Sequence, residues 1–296
     1  MSIRIGTRGS KLALAQTTLV CKKLLAHGID SEQVVITTQG DTTTSVPLHE
    51  IGGQGVFVRA LDDAICAGTI DCAVHSMKDI PAQRPGGLVT AAVLKRDSPA
   101  DYLAYKGSLH AVKVIGTSST RRRAQLLRHD PDITTKDLRG NVDTRIRKMS
   151  AGQYDAIVVA EAGLARLGIR IPGDRLSPER FVPAPNQGTI AVVSRADPSL
   201  MEVLSVLDHP RTRTDVAIER AVMEKLGGGC FTPLGIYCNG GHLIAEVLSL
   251  NGDRTERLET DIQDPEQARE EGVHLRTRAK NLIDEAYQKL GISHEW

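Results

Sequence analysis

Residues 3–28 read IRIGTRGSKLALAQTTLVCKKLLAHG, and this stretch decides the fold class. Ile3 to Gly6 has the length and apolar content of a short strand. Ser10 then offers an N-cap to a helix with Leu12, Ala15, Leu19 and Leu24 on one face, closed near Gly28. A strand that turns directly into an amphipathic helix opens an α/β unit.

The same alternation continues outward. Gln33 to Thr37 reads as a second strand, followed by a polar stretch from Gln39 to Gly55 and a helix beginning near Val56. A connection of that length is expected to act as a mobile lid or binding loop. Asp71 to His75 resumes the strand pattern, and the turn after it holds Ser76, Lys78 and Asp79. After Asp97-Ser98-Pro99 a second series begins, with strand Val112 to Gly116, helix Thr120 to Arg128, strand Asp155 to Ala160 and a helix to Leu167. Strands interleaved with helices imply a parallel sheet in each series. Pro183, Pro185 and Gly188 mark a crossing, and the strand Thr189 to Ser194 is expected to return to the first sheet.

From His209-Pro210 the character changes. A helix from Thr214 to Leu226 leads into Gly227-Gly228-Gly229-Cys230, then into two strand-like runs joined through Asn251-Gly252, a hairpin signal. Asp264, Pro265 and Gln267 supply the N-cap, first-turn proline and capping-box partner of a last helix expected to bury Val273, Ala279, Ile283 and Leu290. This third part reads as a small antiparallel α+β domain, and no repeat or low-complexity tract interrupts the chain.

Composition bounds the function. A chain of 296 residues implies two or three domains, and 41% hydrophobic residues with only 3% aromatics imply a core of aliphatic side chains. A net charge of +1 argues against a dedicated nucleic-acid or anionic-membrane protein, and three phenylalanines with one tryptophan give an RNA-binding reading little support. Charge is concentrated locally: between Lys113 and Lys148 there are ten basic and four acidic residues. A solvated basic face and a grip for carboxylate or phosphate both fit that run. Five cysteines at 21, 66, 72, 230 and 238 lack metal-ligand spacing, so no disulfide framework, zinc site or other metal is expected. The opening MSIRIGTRGS lacks a secretory pattern and no run approaches a membrane span, so the expected location is the cytoplasm.

In α/β sheets ligands gather where strands feed helix N-termini, whose free amides attract anions. Gly6-Thr7-Arg8-Gly9-Ser10, His75-Ser76-Met77-Lys78-Asp79 and Gly116-Thr117-Ser118-Ser119-Thr120-Arg121-Arg122 all occupy such positions. Each alone also reads as a cap, a turn or a surface charge, but together they describe an anion-binding cleft. Arg139 and Arg145, six apart, and Arg166 add cations, whereas Arg123, Arg128 and Arg147 read as surface charges. No G-x-x-x-x-G-K-[ST] loop supports a nucleotide. Cys230, behind three glycines, reads equally as an open, reactive thiol or as a small core residue; Cys21, Cys66 and Cys72 sit in apolar patterns and read as core.

The strings GTRGS (6–10), GGQGVFVRAL (52–61), AVHSMKDIP (73–81), GTSSTRR (116–122), LRGNVDTR (138–145), AGLARLG (162–168) and LGGGCFTPLG (226–235) resemble the porphobilinogen deaminase (hydroxymethylbilane synthase) family over nearly the whole chain. The resemblance implies an α/β fold of two periplasmic-binding-protein-like lobes with the active site in the cleft between them, plus a small α+β C-terminal domain. The corresponding boundaries are 1–97 with 189–208, 98–188, and 209–296. It implies a transferase that deaminates and joins four porphobilinogen molecules into hydroxymethylbilane, on a dipyrromethane cofactor held by a thioether to Cys230. By resemblance, Asp79 is the catalytic acid–base. Ser76, Lys78, Asp41, Thr117, Ser118, Ser119, Arg121, Arg122, Arg139, Arg145 and Gly188 join Cys230 in holding the cofactor. Arg8, Ser10, Phe57, Arg145, Arg166 and Gln187 hold substrate. A monomer, with no nucleic-acid or membrane partner, is the further expectation.

This sequence departs from the family pattern at Gln54 and Arg59, where lysines are usual, at Ala100, and at Asn186-Gln187-Gly188-Thr189 in place of G-Q-G-A. The rival reading, a non-catalytic two-lobed receptor for a small anion, requires neither Asp79 nor Cys230, and both are present.

Overall fold

The structure is a computed structural model that describes residues 2–37, 56–81, 86–227 and 231–291; the side chains of Val56 and Phe57 are outside that description. The chain forms two compact units, Met1–Asp97 with Arg166–Gly168 and Gly188–Arg213, and Ser98–Ala165 with Ile169–Gln187 and Thr214–Trp296.

The first unit is built on β1 (Ile3–Thr7), β2 (Ser31–Val35), β3 (Cys72–Ser76), β4 (Leu88–Val93) and β10 (Ile190–Arg195), in the order β2-β1-β3-β10-β4. The strand at 190–195 does return to this sheet. It enters between β3 and β4, with Ile190 opposite Ser76, and runs antiparallel to both. The sheet is therefore mixed rather than parallel, because a chain that re-enters at the carboxyl edge of β3 must run the other way. Ser10 caps α1 (Lys11–Leu25) by accepting from the Ala13 amide at 3.3 Å. Helix α2 spans Val56–Cys66, and α6, after β10, spans Pro198–Leu204. Ile5, Val20, Leu24, Cys72, Val74 and Val192 form the core, and full burial of each large aliphatic side chain stabilises the unit by about 1.5–3 kcal/mol. The second strand lies two residues earlier than its pattern suggested, and Cys66 is exposed rather than core.

The second unit repeats the plan. Strands β5 (Asp101–Tyr105), β6 (Val114–Gly116), β7 (Thr134–Lys136), β8 (Ala156–Ala160) and β9 (Gly173–Leu176) take the order β7-β6-β8-β5-β9. Pairs β6–β7 and β6–β8 are parallel, while β5 runs antiparallel to β8 and β9, so this sheet is also mixed. Helices α3 (Thr120–His129), α4 (Val142–Ser150) and α5 (Glu161–Arg166) follow β6, β7 and β8. Gly116 permits close approach at the end of β6, since a Cβ there would meet the Tyr154 ring at 2.8 Å.

A third sheet, β11 (Leu234–Asn239), β12 (His242–Leu248) and β13 (Thr255–Asp261), is wholly antiparallel and packs against α7 (Pro210–Leu226) and α8 (Pro265–Leu290). It has three strands where the sequence pattern showed two, because Gly240-Gly241, both at positive φ, turn β11 into β12. The Asn251-Gly252 turn joins β12 and β13 as expected; Gly252 has φ +76° and its backbone lies so close to the Ala124 carbonyl that any Cβ would collide. Glu246, fully buried on β12, accepts from Gln125 (2.7 Å) and Arg128 (2.8 Å) of α3, which fastens the third sheet to this unit. Arg128 is thus a structural partner of a buried acid, not a surface charge. On α8, Ala279 and Ile283 are buried, but Val273 and Leu290 are exposed on its solvent side. Asp264 caps α8 through the Glu266 and Gln267 amides, and Gln267 reaches back to the Gln263 amide.

Candidate functional site

In the first unit every described candidate side chain sits at one edge of the sheet. The parallel strands β1 and β3 end there, delivering Arg8 and Ser10 from one and Ser76, Lys78 and Asp79 from the other. Antiparallel β10 starts there, bringing Gly188 and Thr189 alongside; the Met77 amide donates to the Thr189 carbonyl at 2.9 Å. A single 3-10 turn, Met77–Asp79, buries Met77 and turns Asp79 outward into solvent. Ser76 accepts from Gln16 of α1 at 2.8 Å, which fixes the turn to the first helix. Arg166 donates to Asp97 at 2.8 Å and to the Gly188 carbonyl at 2.6 Å. Burial lowers the Arg166 pKa, and the negative charges of Asp97 and Asp79 oppose that shift. Asp79 is therefore within electrostatic reach of Arg166.

The second unit arranges its candidates in the same way. Thr117, Ser118 and Ser119 follow the carboxyl end of β6. Ser119 caps α3 by accepting from the Arg122 amide, the Thr117 hydroxyl accepts from the Ser119 amide, and Ser118 exchanges hydrogen bonds with the Leu138 backbone. These hydroxyls build the loop that precedes the arginines.

Arg121 and Arg122 are 4% and 7% exposed and converge on Asp101, which is 0% exposed. Asp101 starts β5, opposite Ala160 at the end of β8, and so faces the first turn of α3. Arg121 donates to Asp101 (2.8 Å), Gln125 (2.9 Å) and the Val182 carbonyl (2.8 Å), and its guanidinium lies 5.8 Å above the Phe181 ring. Arg122 donates to Asp101 through Nε (3.1 Å) and Nη2 (2.6 Å), and to the Val158 carbonyl. Gln187 completes the cluster by donating to Asp101 at 2.9 Å and to the Pro99 carbonyl at 2.8 Å. Burial alone would push the Asp101 carboxyl up, but the two guanidinium charges outweigh it and hold the group well below the usual carboxylate range.

Arg145 differs. Its Nε donates to the Gly140 carbonyl at 2.7 Å, and no carboxylate among the described residues pairs with it. Removal from water, and then the nearby Arg122 charge, lower its pKa to about 10. A desolvated cation beside a second cation is the arrangement an anionic ligand relieves. Arg139 lies on the loop before α4, and its carbonyl accepts from Lys148.

Asp41, Gln54 and Cys230 lie outside the described residues, as do the 39–55 loop and the Phe57 side chain. Sequence reasoning missed Asp101, Asp97 and Gln125 as partners of the candidate arginines. Asp97 stands there only within the boundary Asp97-Ser98-Pro99, and Asp101, just after it, belongs to none of the motifs. Among the described residues no group of three His, Cys, Asp or Glu side chains could hold a metal.

Residues 3–202 match the family model described as "Porphobilinogen deaminase, dipyromethane cofactor binding domain", and residues 214–281 match "Porphobilinogen deaminase, C-terminal domain". The chain is 50% identical to a "Probable porphobilinogen deaminase" of Methanosarcina acetivorans, over 97% of this chain and 95% of that one. It is 45% identical to one of the same description from Archaeoglobus fulgidus, over 93% and 98%. Among solved structures, an ABC transporter periplasmic substrate-binding protein from Coxiella burnetii aligns at 16% identity and TM-score 0.42, over 71% of this chain and 94% of that one. That likeness is too distant to bear on function.

Proposed function

This chain belongs to the porphobilinogen deaminase family, and we propose from that premise how its own side chains divide the work. The reaction is the family's: porphobilinogen is deaminated and polymerised to hydroxymethylbilane, with release of ammonia, in tetrapyrrole biosynthesis. A covalently bound dipyrromethane is its cofactor, and when bound it supplies an anchored pyrrole to which the incoming units are joined.

The observation that carries the assignment of anion-holding groups is Arg145, a desolvated cation with no described carboxylate partner, beside Arg122. Each porphobilinogen brings an acetate and a propionate, so a lengthening chain needs several cations in place before it arrives. Arg139 and Arg145 hold those carboxylates, helped by Lys78, Ser76, Gly188 and the hydroxyl loop 117–119, while Asp41 is assigned to accept from the pyrrole N–H groups of the cofactor. Arg121 and Arg122 spend their hydrogen bonds on the interior and contribute positive charge from behind. Arg8, Ser10, Phe57, Arg166 and Gln187 position the incoming substrate. Asp79, exposed at the end of β3, assists departure of the amine, stabilises the cation left behind and accepts the ring proton after coupling. Cys230 provides the sulfur tether.

Intact-mass analysis with peptide mapping tests the tether: a two-pyrrole adduct on Cys230 is expected, and an unmodified Cys230 in fully active protein would overturn the assignment. Asp79→Asn should keep that adduct while turnover falls by roughly 10²–10⁴. Near-normal turnover would remove Asp79 from the chemistry.

No helix among the described residues is long and apolar enough to cross a membrane. A cytoplasmic monomer that binds no nucleic acid, with the three-part division at 1–97 with 189–208, 98–188 and 209–296, is the accompanying proposal. Sedimentation at working concentration checks the oligomeric part of it.

A further inference from the structure

The sheet of the second unit has two unequal faces. One is closed by α4 and α5, which bring Met149 and Leu164 against Ala104, Ile157 and Val159. The other face carries Leu103, Ile115, Ala156 and Val158, and among the described helices only α3 contributes to it, through Leu126. A cavity of about 650 Å³ opens over this face, with the half-buried Ile133 and Leu176 as its apolar floor above the buried Leu103, Ile115, Leu126 and Phe181. Leu109, at its wall, is left 45% exposed. That volume falls within the roughly 300–1,000 Å³ typical of small-molecule sites.

The wall is charged in one sense. Lys113, Arg175 and Arg180 line the cavity against a single acid, Asp130. Arg175 is paired with Glu161 at 3.1 Å, but Lys113 and Arg180 pair with no carboxylate among the described residues. Apolar floor and cationic wall together select a ligand with the opposite division, an apolar body ending in one negative head. None of Thr117, Arg121, Arg139 or Arg145 lines this cavity, so it is separate from the groups assigned to the reaction.

We propose that this cavity is a second ligand site, which binds a small organic monocarboxylate with its ring or hydrocarbon body on the Ile133–Leu176 floor and its carboxylate at Lys113 and Arg180. The floor accounts for affinity and the two unpaired cations for the choice of an acid over a neutral molecule of the same shape.

Isothermal titration of the cofactor-loaded protein with 2-naphthoate, and with neutral 2-naphthamide of nearly the same shape, tests this directly. One saturable site is expected, with the carboxylate bound at least about tenfold more tightly than the amide. The surface double variant Lys113→Glu/Arg180→Glu should lose that preference while keeping basal turnover. Arg145→Leu, altered in the reaction site, should bind 2-naphthoate as the unmodified protein does. Absence of saturable binding, equal affinity of the unmodified protein for the two probes, or a preference for the carboxylate that survives the double variant would overturn the proposal. So would loss of binding in Arg145→Leu alone, which would place the naphthoate among the pyrrole-carboxylate groups.

Discussion

Asp101 shows how a single residue organises a cationic site. Two guanidinium groups at adjacent positions on α3 repel each other, and one fully buried carboxylate between them makes the arrangement tolerable. Asp101→Asn leaves two buried cations short of a counter-ion, and a loss of about 3–5 kcal/mol is expected in urea denaturation. The pH dependence has a definite sign. The folded-state carboxyl lies below its ordinary value of about 3.9, so its contribution is complete above that pH and disappears as pH falls toward the folded value. The unmodified protein should therefore lose stability steeply below about pH 4, and Asp101→Asn less steeply over the same range. Parallel acid denaturation curves would contradict this. Arg145 makes the complementary case: Arg145→Leu removes an unpaired desolvated cation, so the fold should be unharmed while cofactor assembly or chain elongation stalls. An unchanged distribution of reaction intermediates, read by mass, would count against it. The arginines themselves were legible in the sequence because they cluster in motifs. Asp101 was not, since it lies 20 and 21 residues from its partners and only the strand pairing of β5 with β8 turns it toward them.

At the scale of elements, caps and turns were the most readable features, because their chemistry is local. Ser10 and Asp264 cap α1 and α8 as their positions suggested, and Asn251-Gly252 makes its turn. Strand direction was not readable, since antiparallel β10 and β5 differ from parallel strands only in which edge their connections reach. The departure at Asn186 also finds a local cause. Its φ is +63°, the left-handed region where glycine is at ease and asparagine is tolerated, which fits the glycine usual at this place. Its amide donates to Glu219 at 2.5 Å, but its buried side-chain oxygen and nitrogen have no hydrogen-bond partner among the described residues. Asn186→Gly should hence leave stability unchanged within about 1 kcal/mol, because the lost polar burial offsets the added chain entropy. Asn186→Val forces a β-branched residue to positive φ, and should lower it by about 2 kcal/mol or more. Equal urea midpoints for the two variants would show that the backbone conformation, not the side chain, has been misjudged.

For the whole molecule, alternation of strands and helices announced two α/β sheets and a different third part, and all three sheets are present. What alternation could not announce is the buried bond of Glu246 to Gln125 and Arg128, which joins residues 121 and 118 positions apart. Charge is distributed on the same scale. A chain of net charge +1 has almost no long-range field, yet carries ten basic residues between Lys113 and Lys148. Anionic porphobilinogen is therefore attracted only within a few ångströms of its site, inside the Debye length of about 8 Å at physiological salt. Raising ionic strength from about 0.05 to 0.5 M should lower kcat/KM by less than about tenfold, through KM rather than kcat, because partly buried guanidinium groups are screened weakly. A steep decline would mean that distant surface charges steer the substrate. A decline confined to kcat would mean that salt acts on the chemistry, and the cations assigned here to binding would have to stabilise charge in the transition state instead.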